Sequence, residues 1–204
     1  SVNDKIYLDA GGTIDIDVSS GQAIGVSAQK GTAELNAKNV EINSYGKSNS
    51  TSAQGIASGS GAKLYLGAIS DIAISAQGNA YATGIYTNGN NSYTEIESDK
   101  LKVLADNLGK GFGSSNAAYG IWGKDDNKTQ ITTNNGTYFG INTSADGYAA
   151  ANNGYGIYAE KGAHVDINST AGNNIINVGV FVDEENQTIK VKENGIQAGI
   201  KASG

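Results

Sequence analysis

Short alternations of apolar and polar residues recur along the whole chain, and no stretch of ten or more residues keeps a helical spacing. Alternation with period two marks a half-buried strand, because successive side chains of an extended chain point to opposite faces. The strands read this way are three to five residues long, and Gly, Asn and Ser fill the turns between them. One phrase returns six times: Ile24-Gly25-Val26, Gln54-Gly55-Ile56, Thr83-Gly84-Ile85, Tyr119-Gly120-Ile121, Tyr155-Gly156-Ile157 and Ala198-Gly199-Ile200. Its glycines are 30, 29, 36, 36 and 43 residues apart. Between phrases, two further alternations follow in constant order. The first includes Ala33-Glu34-Leu35-Asn36, Lys63-Leu64-Tyr65-Leu66, Thr94-Glu95-Ile96-Glu97, Gln130-Ile131-Thr132 and His164-Val165-Asp166-Ile167. The second includes Val40-Glu41-Ile42, Ile72-Ala73-Ile74, Leu101-Lys102-Val103, Phe139-Gly140-Ile141 and the run from Ile175 to Val182. Ile6-Tyr7-Leu8 and Thr13-Ile14-Asp15-Ile16 read as the tail of an earlier unit, and both ends of the chain look like cuts inside the pattern.

A three-strand unit of about 30 residues cannot close a core alone, but stacked units cover one another's apolar faces. The expectation is an all-β fold, a parallel β-helix forming one solenoid over residues 1–204. Three-strand rungs about 4.8 Å apart, about six of them, would make a stub about 25–30 Å long. Near 180–192, Val180-Phe181-Val182 and Ile189-Lys190-Val191 flank the acidic Asp183–Gln187, which predicts a β-hairpin inserted into the last rung.

The register gives each side chain a direction. With Val26, Ile56, Ile85, Ile121, Ile157 and Ile200 inward, the next residues form an outward column: Ser27, Ala57, Tyr86, Trp122, Tyr158 and Lys201. On the second face, aligned outward columns read Glu34, Lys63, Glu95, Gln130, His164 and Asn36, Tyr65, Glu97, Thr132, Asp166, with Lys63 between two glutamates. Turn lengths vary at one corner only, the one before the repeat glycine. The longest insertions there are Asn107 to Ala118, with Phe112, and Ser144 to Asn153, with Tyr148. Loops of this kind commonly carry binding.

Composition removes several function classes. Cys, Met and Pro are absent, and all 14 cations are Lys, against 20 acids, for a net charge of −6. Without Cys there is no disulfide scaffold, thiolate metal site or cysteine nucleophile. Without Arg or a basic footprint, nucleic acid is not an expected partner. No apolar run approaches the ~20 residues of a membrane helix, and no signal peptide is legible. High Gly, Asn and Ser would suit disorder, but the missing Pro and the recurring Ile, Val and Leu argue for a folded chain.

The phrases Gly84-Ile85-Tyr86 and Gly156-Ile157-Tyr158, the Asn/Gly/Ser-rich turns, the missing Cys and the irregular repeats together resemble the passenger region of Gram-negative autotransporters. These are type V secreted surface proteins, many of them adhesins. The resemblance extends over essentially the whole chain. It implies a right-handed β-helix on the bacterial surface, a signal peptide upstream and an outer-membrane barrel downstream.

Each candidate residue also has a plainer reading. Tyr86, Trp122 and Tyr158 could stack on sugar rings, or simply stiffen the sheet. With Phe112 and Tyr148 they form the expected ligand-binding set, for a surface glycan or a host or bacterial surface protein. His164 and Asp166 share a face, but the places beside them hold Gln130 and Thr132, where a triad needs a serine. Glu95, Glu97 and Asp166 could pair as in glycosidases if a cleft held them about 5–9.5 Å apart. Pectate-lyase-like chemistry fails for want of arginine. Asp125-Asp126-Asn127 and Asp183-Glu184-Glu185 carry oxygen ligands for calcium, although solvated turns look the same. The expectation is therefore a monomeric adhesin fragment, with no catalytic residue, metal or cofactor and no membrane contact of its own. The alternatives are a spacer stalk and a polysaccharide-degrading enzyme.

Overall fold

The computed structural model describes residues 4–47, 52–108, 116–144, 152–169, 180–183, 188–192 and 196–203. The strands begin with β1 (Lys5–Ser20), β2 (Ala23–Ala28) and β3 (Thr32–Gly46). Three similar triplets follow. They are β4 (Ser52–Ser58), β5 (Lys63–Ala68) and β6 (Asp71–Gly78); β7 (Tyr81–Asn88), β8 (Tyr93–Ser98) and β9 (Lys100–Asn107); and β10 (Asn116–Lys124), β11 (Lys128–Thr133) and β12 (Thr137–Ser144). Then come β13 (Asn152–Glu160), β14 (His164–Ser169), β15 (Val180–Asp183), β16 (Thr188–Lys192) and β17 (Ile196–Ser203). Among the described residues there is no helix, and so none long and apolar enough to cross a membrane.

Every strand pairs in parallel with its counterpart one repeat away, which makes the chain an all-β, solenoid-like stack. One sheet runs β15-β13-β10-β7-β4-β2. The other runs β16-β14-β11-β8-β5-β3-β6-β9-β12-β17, with β1 on β3. The long strand β3 joins two lanes, pairing with β5 through Thr32–Ala37 and with β6 through Val40–Tyr45. The two alternations read at residues 6–8 and 13–16 are likewise one strand, β1, interrupted by a register shift between Ala10 and Thr13.

The alternation becomes the core. Ile56, Ile85, Ile121 and Ile157 stack in register and are fully buried. Leu66, Ile96, Ile131 and Ile167 form a second column, and Ile42, Ile74, Val103 and Phe139 a third. The interior is polar where the first two lanes meet. Thr94 and Thr129 occupy inward places that hold Leu64 and Val165 in neighbouring layers. Their hydroxyls join those of Ser58 and Thr87: Ser58 to Thr94 at 2.8 Å, Thr87 to Thr94 at 2.9 Å and Thr129 to Thr87 at 2.8 Å. A buried hydroxyl is tolerated because it finds a partner, and here each finds another hydroxyl.

The repeat glycines align in five layers, and their role is steric. A Cβ at Gly55, Gly84 or Gly120 would lie 2.6, 2.9 or 2.5 Å from the carbonyl oxygen of the glycine one layer on. It would also meet an inward side chain, Ile74, Val103 or Phe139. The chain turns inward twice in succession there, at the glycine and at the isoleucine after it, and only a residue without a side chain fits the first place.

Three expectations are corrected. The hairpin near 180–192 does not form: β15 pairs with β13 and β16 with β14, both in parallel, in different sheets. The sixth phrase does not join the glycine column, because Gly199 lies opposite Gly140 and Ile200 opposite Ile141. Val180 stands opposite Ile157 instead, and Phe181, not Lys201, occupies the place beside Tyr158. In the second-face columns Glu34, Glu95 and Gln130 align as expected, and so do Asn36, Glu97 and Thr132, but Lys63 with Tyr65 and His164 with Asp166 are each slipped by two residues. Lys63 lies between Thr32 and Tyr93, and His164 opposite Lys128. A slip of two keeps every residue on its own face, so the alternation in the sequence cannot detect it.

Candidate binding face

On the six-stranded sheet, Trp122 stands opposite Tyr86 on one side and Tyr158 on the other. The sequence places these three rings together, and so does the structure. Their centroids are 5.0 Å apart for Tyr86–Trp122 and 6.1 Å for Trp122–Tyr158. Sequence reasoning missed Tyr119 and Tyr155. Strict alternation through Gly120 would send Tyr119 inward. The doubled inward step at the glycine puts Tyr119 outside, beside Trp122, and the register pairs it with Tyr155. Tyr119 stacks on Trp122 at 4.7 Å and on Tyr155 at 5.5 Å, and meets Tyr158 edge-on at 5.4 Å. The signal was present in Tyr119-Gly120-Ile121-Trp122 and Tyr155-Gly156-Ile157-Tyr158, where aromatics flank a glycine that tolerates no side chain.

Each such pair contributes about 0.5–1.5 kcal/mol beyond simple burial. Tyr119 lies at the base of the cluster with 8% exposure, while Tyr86, Trp122, Tyr155 and Tyr158 remain half-buried. Trp122 Nε1 donates to Glu160 Oε1 at 3.1 Å, and Lys124 Nζ lies 3.6 Å from the same oxygen. Burial pushes the phenols of Tyr86 and Tyr119 above their ordinary pKa, and the charge of Glu160 adds to both shifts. Phe112 and Tyr148, the loop members of the expected set, lie outside the described residues.

The outer face of the other sheet is polar and charged. Lys5 Nζ lies 2.9 Å from Glu34 Oε2, and Asn36 Nδ2 donates to Glu34 Oε1 at 3.1 Å. The Lys5 ammonium and the Asn36 amide hold the Glu34 carboxyl below the usual carboxylate range. Gly67 leaves a gap between Asn36 and Glu97, opening a shallow cleft of about 290 Å³ lined by Glu34, Asn36, Tyr65, Glu95 and Glu97. Glu34 is displaced downward, whereas a general acid needs its pKa raised. Asp166 lies 3.7 Å from Lys128 Nζ, and the places facing His164 in register are Lys128 and Thr188, neither of them a serine.

At the turn after β10, Asp125 and Asp126 take positive φ values of 63° and 29°. Asn127 points into the fold, where its Nδ2 donates to the carbonyls of Thr87 and Lys124 at 2.7 Å each. Asn127 therefore caps the corner from inside through its Nδ2, while its buried Oδ1 has no hydrogen-bond partner among the described residues. Among the described residues, no group of three or more His, Asp or Glu is arranged to hold a metal.

Compared with known proteins, the chain matches no family model, no curated sequence and no solved structure.

Proposed function

We propose that the chain is part of a bacterial surface passenger that adheres through the aromatic face of its six-stranded sheet. In this reading the stack is a right-handed parallel β-helix with three-strand rungs, and the three lanes of parallel pairing support it. The whole protein would be held at the outer membrane by a barrel outside this sequence. The observation that carries the proposal is the aromatic ladder: Tyr86, Trp122 and Tyr158 in register over three layers, with Tyr119 and Tyr155 packed among them. Aromatic rings suit the apolar faces of sugars, and weak contacts repeated along a rigid stack add through effective concentration.

A spacer stalk is the second reading, favoured by the same rings. They lie against one another, which stiffens the sheet whether or not a ligand arrives. A screen of immobilised glycans and host-matrix proteins separates the two. The adhesive reading expects retained ligands, lost when Tyr86, Trp122 and Tyr158 are all replaced by Ser, with β-type circular dichroism preserved. Equal retention by the folded triple variant would leave the spacer.

A further inference from the structure

The aromatic face has a charged border, and the border bears on which ligand it would take. Resting on the adhesive reading above, we infer that this face selects an oligosaccharide bearing protonated amino groups, with the Glu160 carboxylate beside Trp122 as its charged anchor. Glu160 accepts from Trp122 Nε1 at 3.1 Å, which fixes one carboxylate oxygen at the edge of the indole. Lys124 lies one layer away in register with Glu160, and its Nζ is 3.6 Å from that same oxygen. An ammonium thus already sits at this spot, loosely, on a side chain that is 31% exposed.

The neighbouring groups make an added anion unwelcome. Asp125 follows Lys124 in the turn, and both Asp125 and Glu160 act on the Tyr86 phenol. The chain as a whole carries −6. A sugar ammonium gains from the carboxylate, while the sugar's ring carbons meet the half-buried rings of Trp122 and Tyr86. A uronate or other acidic sugar would meet like charge at the same place.

Trp122 is the sole tryptophan, so its emission reports on this face alone. The test titrates the chain with a glucosamine oligomer, its N-acetylated counterpart and an oligogalacturonate. The inference expects the glucosamine oligomer to shift Trp122 emission most strongly and the uronate not at all. Glu160→Gln keeps an acceptor for the indole N–H but removes the charge, and should weaken glucosamine binding about fivefold. Lys124→Ala removes the competing ammonium and should tighten it about twofold. Glu41→Gln, on the other sheet, should change nothing and so guards against diffuse attraction of a polycation. Equal response to the N-acetylated oligomer, a stronger response to the uronate, or an unaffected Glu160→Gln would overturn the charge assignment while leaving the aromatic face as an adhesive surface. Silence with all three probes would also overturn it. Adhesion itself fails only if the glycan and matrix screen is also empty or indifferent to the triple variant.

Discussion

The two outer faces of this stack are built on one interior pattern and have opposite characters. On the six-stranded sheet, aromatics from three layers lie in mutual contact over a base residue, Tyr119, that is nearly buried. On the other sheet, a cleft opens at Gly67 and charges such as Lys5 and Glu34 pair in the open. The inward columns cannot distinguish the faces, because both are floored by the same stacked aliphatics. The difference teaches that one shared interior can carry two exteriors of unlike chemistry. A ladder of large rings is therefore a feature of one face and not a by-product of the fold.

The strongest way to break the comparison is through the shared interior. Ile121→Asp places an unpaired charge in the column beneath the aromatic face, and burying an ionised carboxylate without a partner costs several kcal/mol at the least. We expect no folded protein, seen as loss of the β-type circular dichroism spectrum. A folded variant with an ordinary melting transition would mean that Ile121 does not face the axis.

Next in size is truncation of one ring on each face. Tyr119→Ala removes the buried base of the ladder and should cost about 3 kcal/mol, as deep aromatic truncations do. Tyr65→Ala, on the polar face, loses one edge-on contact with Tyr93 at 5.8 Å and should cost about 1 kcal/mol or less. Urea denaturation of the two variants measures the gap. Equal costs would show that the two faces contribute alike.

pH should separate the faces more gently. The Tyr119 phenol is raised by burial, so the native state favours its neutral form. That contribution is complete below the ordinary tyrosine pKa of about 10 and is lost as pH rises from there toward the folded value. Glu34 is lowered, so its contribution is present above the ordinary value of about 4.3 and is lost as pH falls through the folded value. Lys5, raised by the same pair, adds a small alkaline loss of its own. The Lys5–Glu34 pair is exposed and screened by salt, so its effect should be small and fade at high ionic strength. Melting temperature against pH, at low and high salt, should show an alkaline fall that weakens in Tyr119→Ala and persists in part through Tyr93 on the polar face, whose phenol burial also raises, and an acid fall that salt reduces. An alkaline limb unchanged in that variant would detach it from the aromatic face.

Period-two alternation was enough to place the strands, though it read them as three to five residues where most have six or more, and to read the inward places of Ile56, Ile85, Ile121 and Ile157 and the column Tyr86–Trp122–Tyr158. In a strand a side chain's face depends only on whether its position is odd or even, and that is local information. Tertiary structure decided what parity leaves open. It set the register of Lys63 and His164, because a slip of two residues preserves the face. It sent Val180–Asp183, Thr188–Lys192 and Ile196–Ser203 onto three existing lanes instead of into a hairpin, because unpaired backbone at the edge of a parallel stack offers a ready partner. It also brought Tyr119 beside Trp122, because packing of glycine on glycine between layers forces two successive inward steps. That constraint lies between residues about 36 apart in the chain and so has no trace in the local alternation.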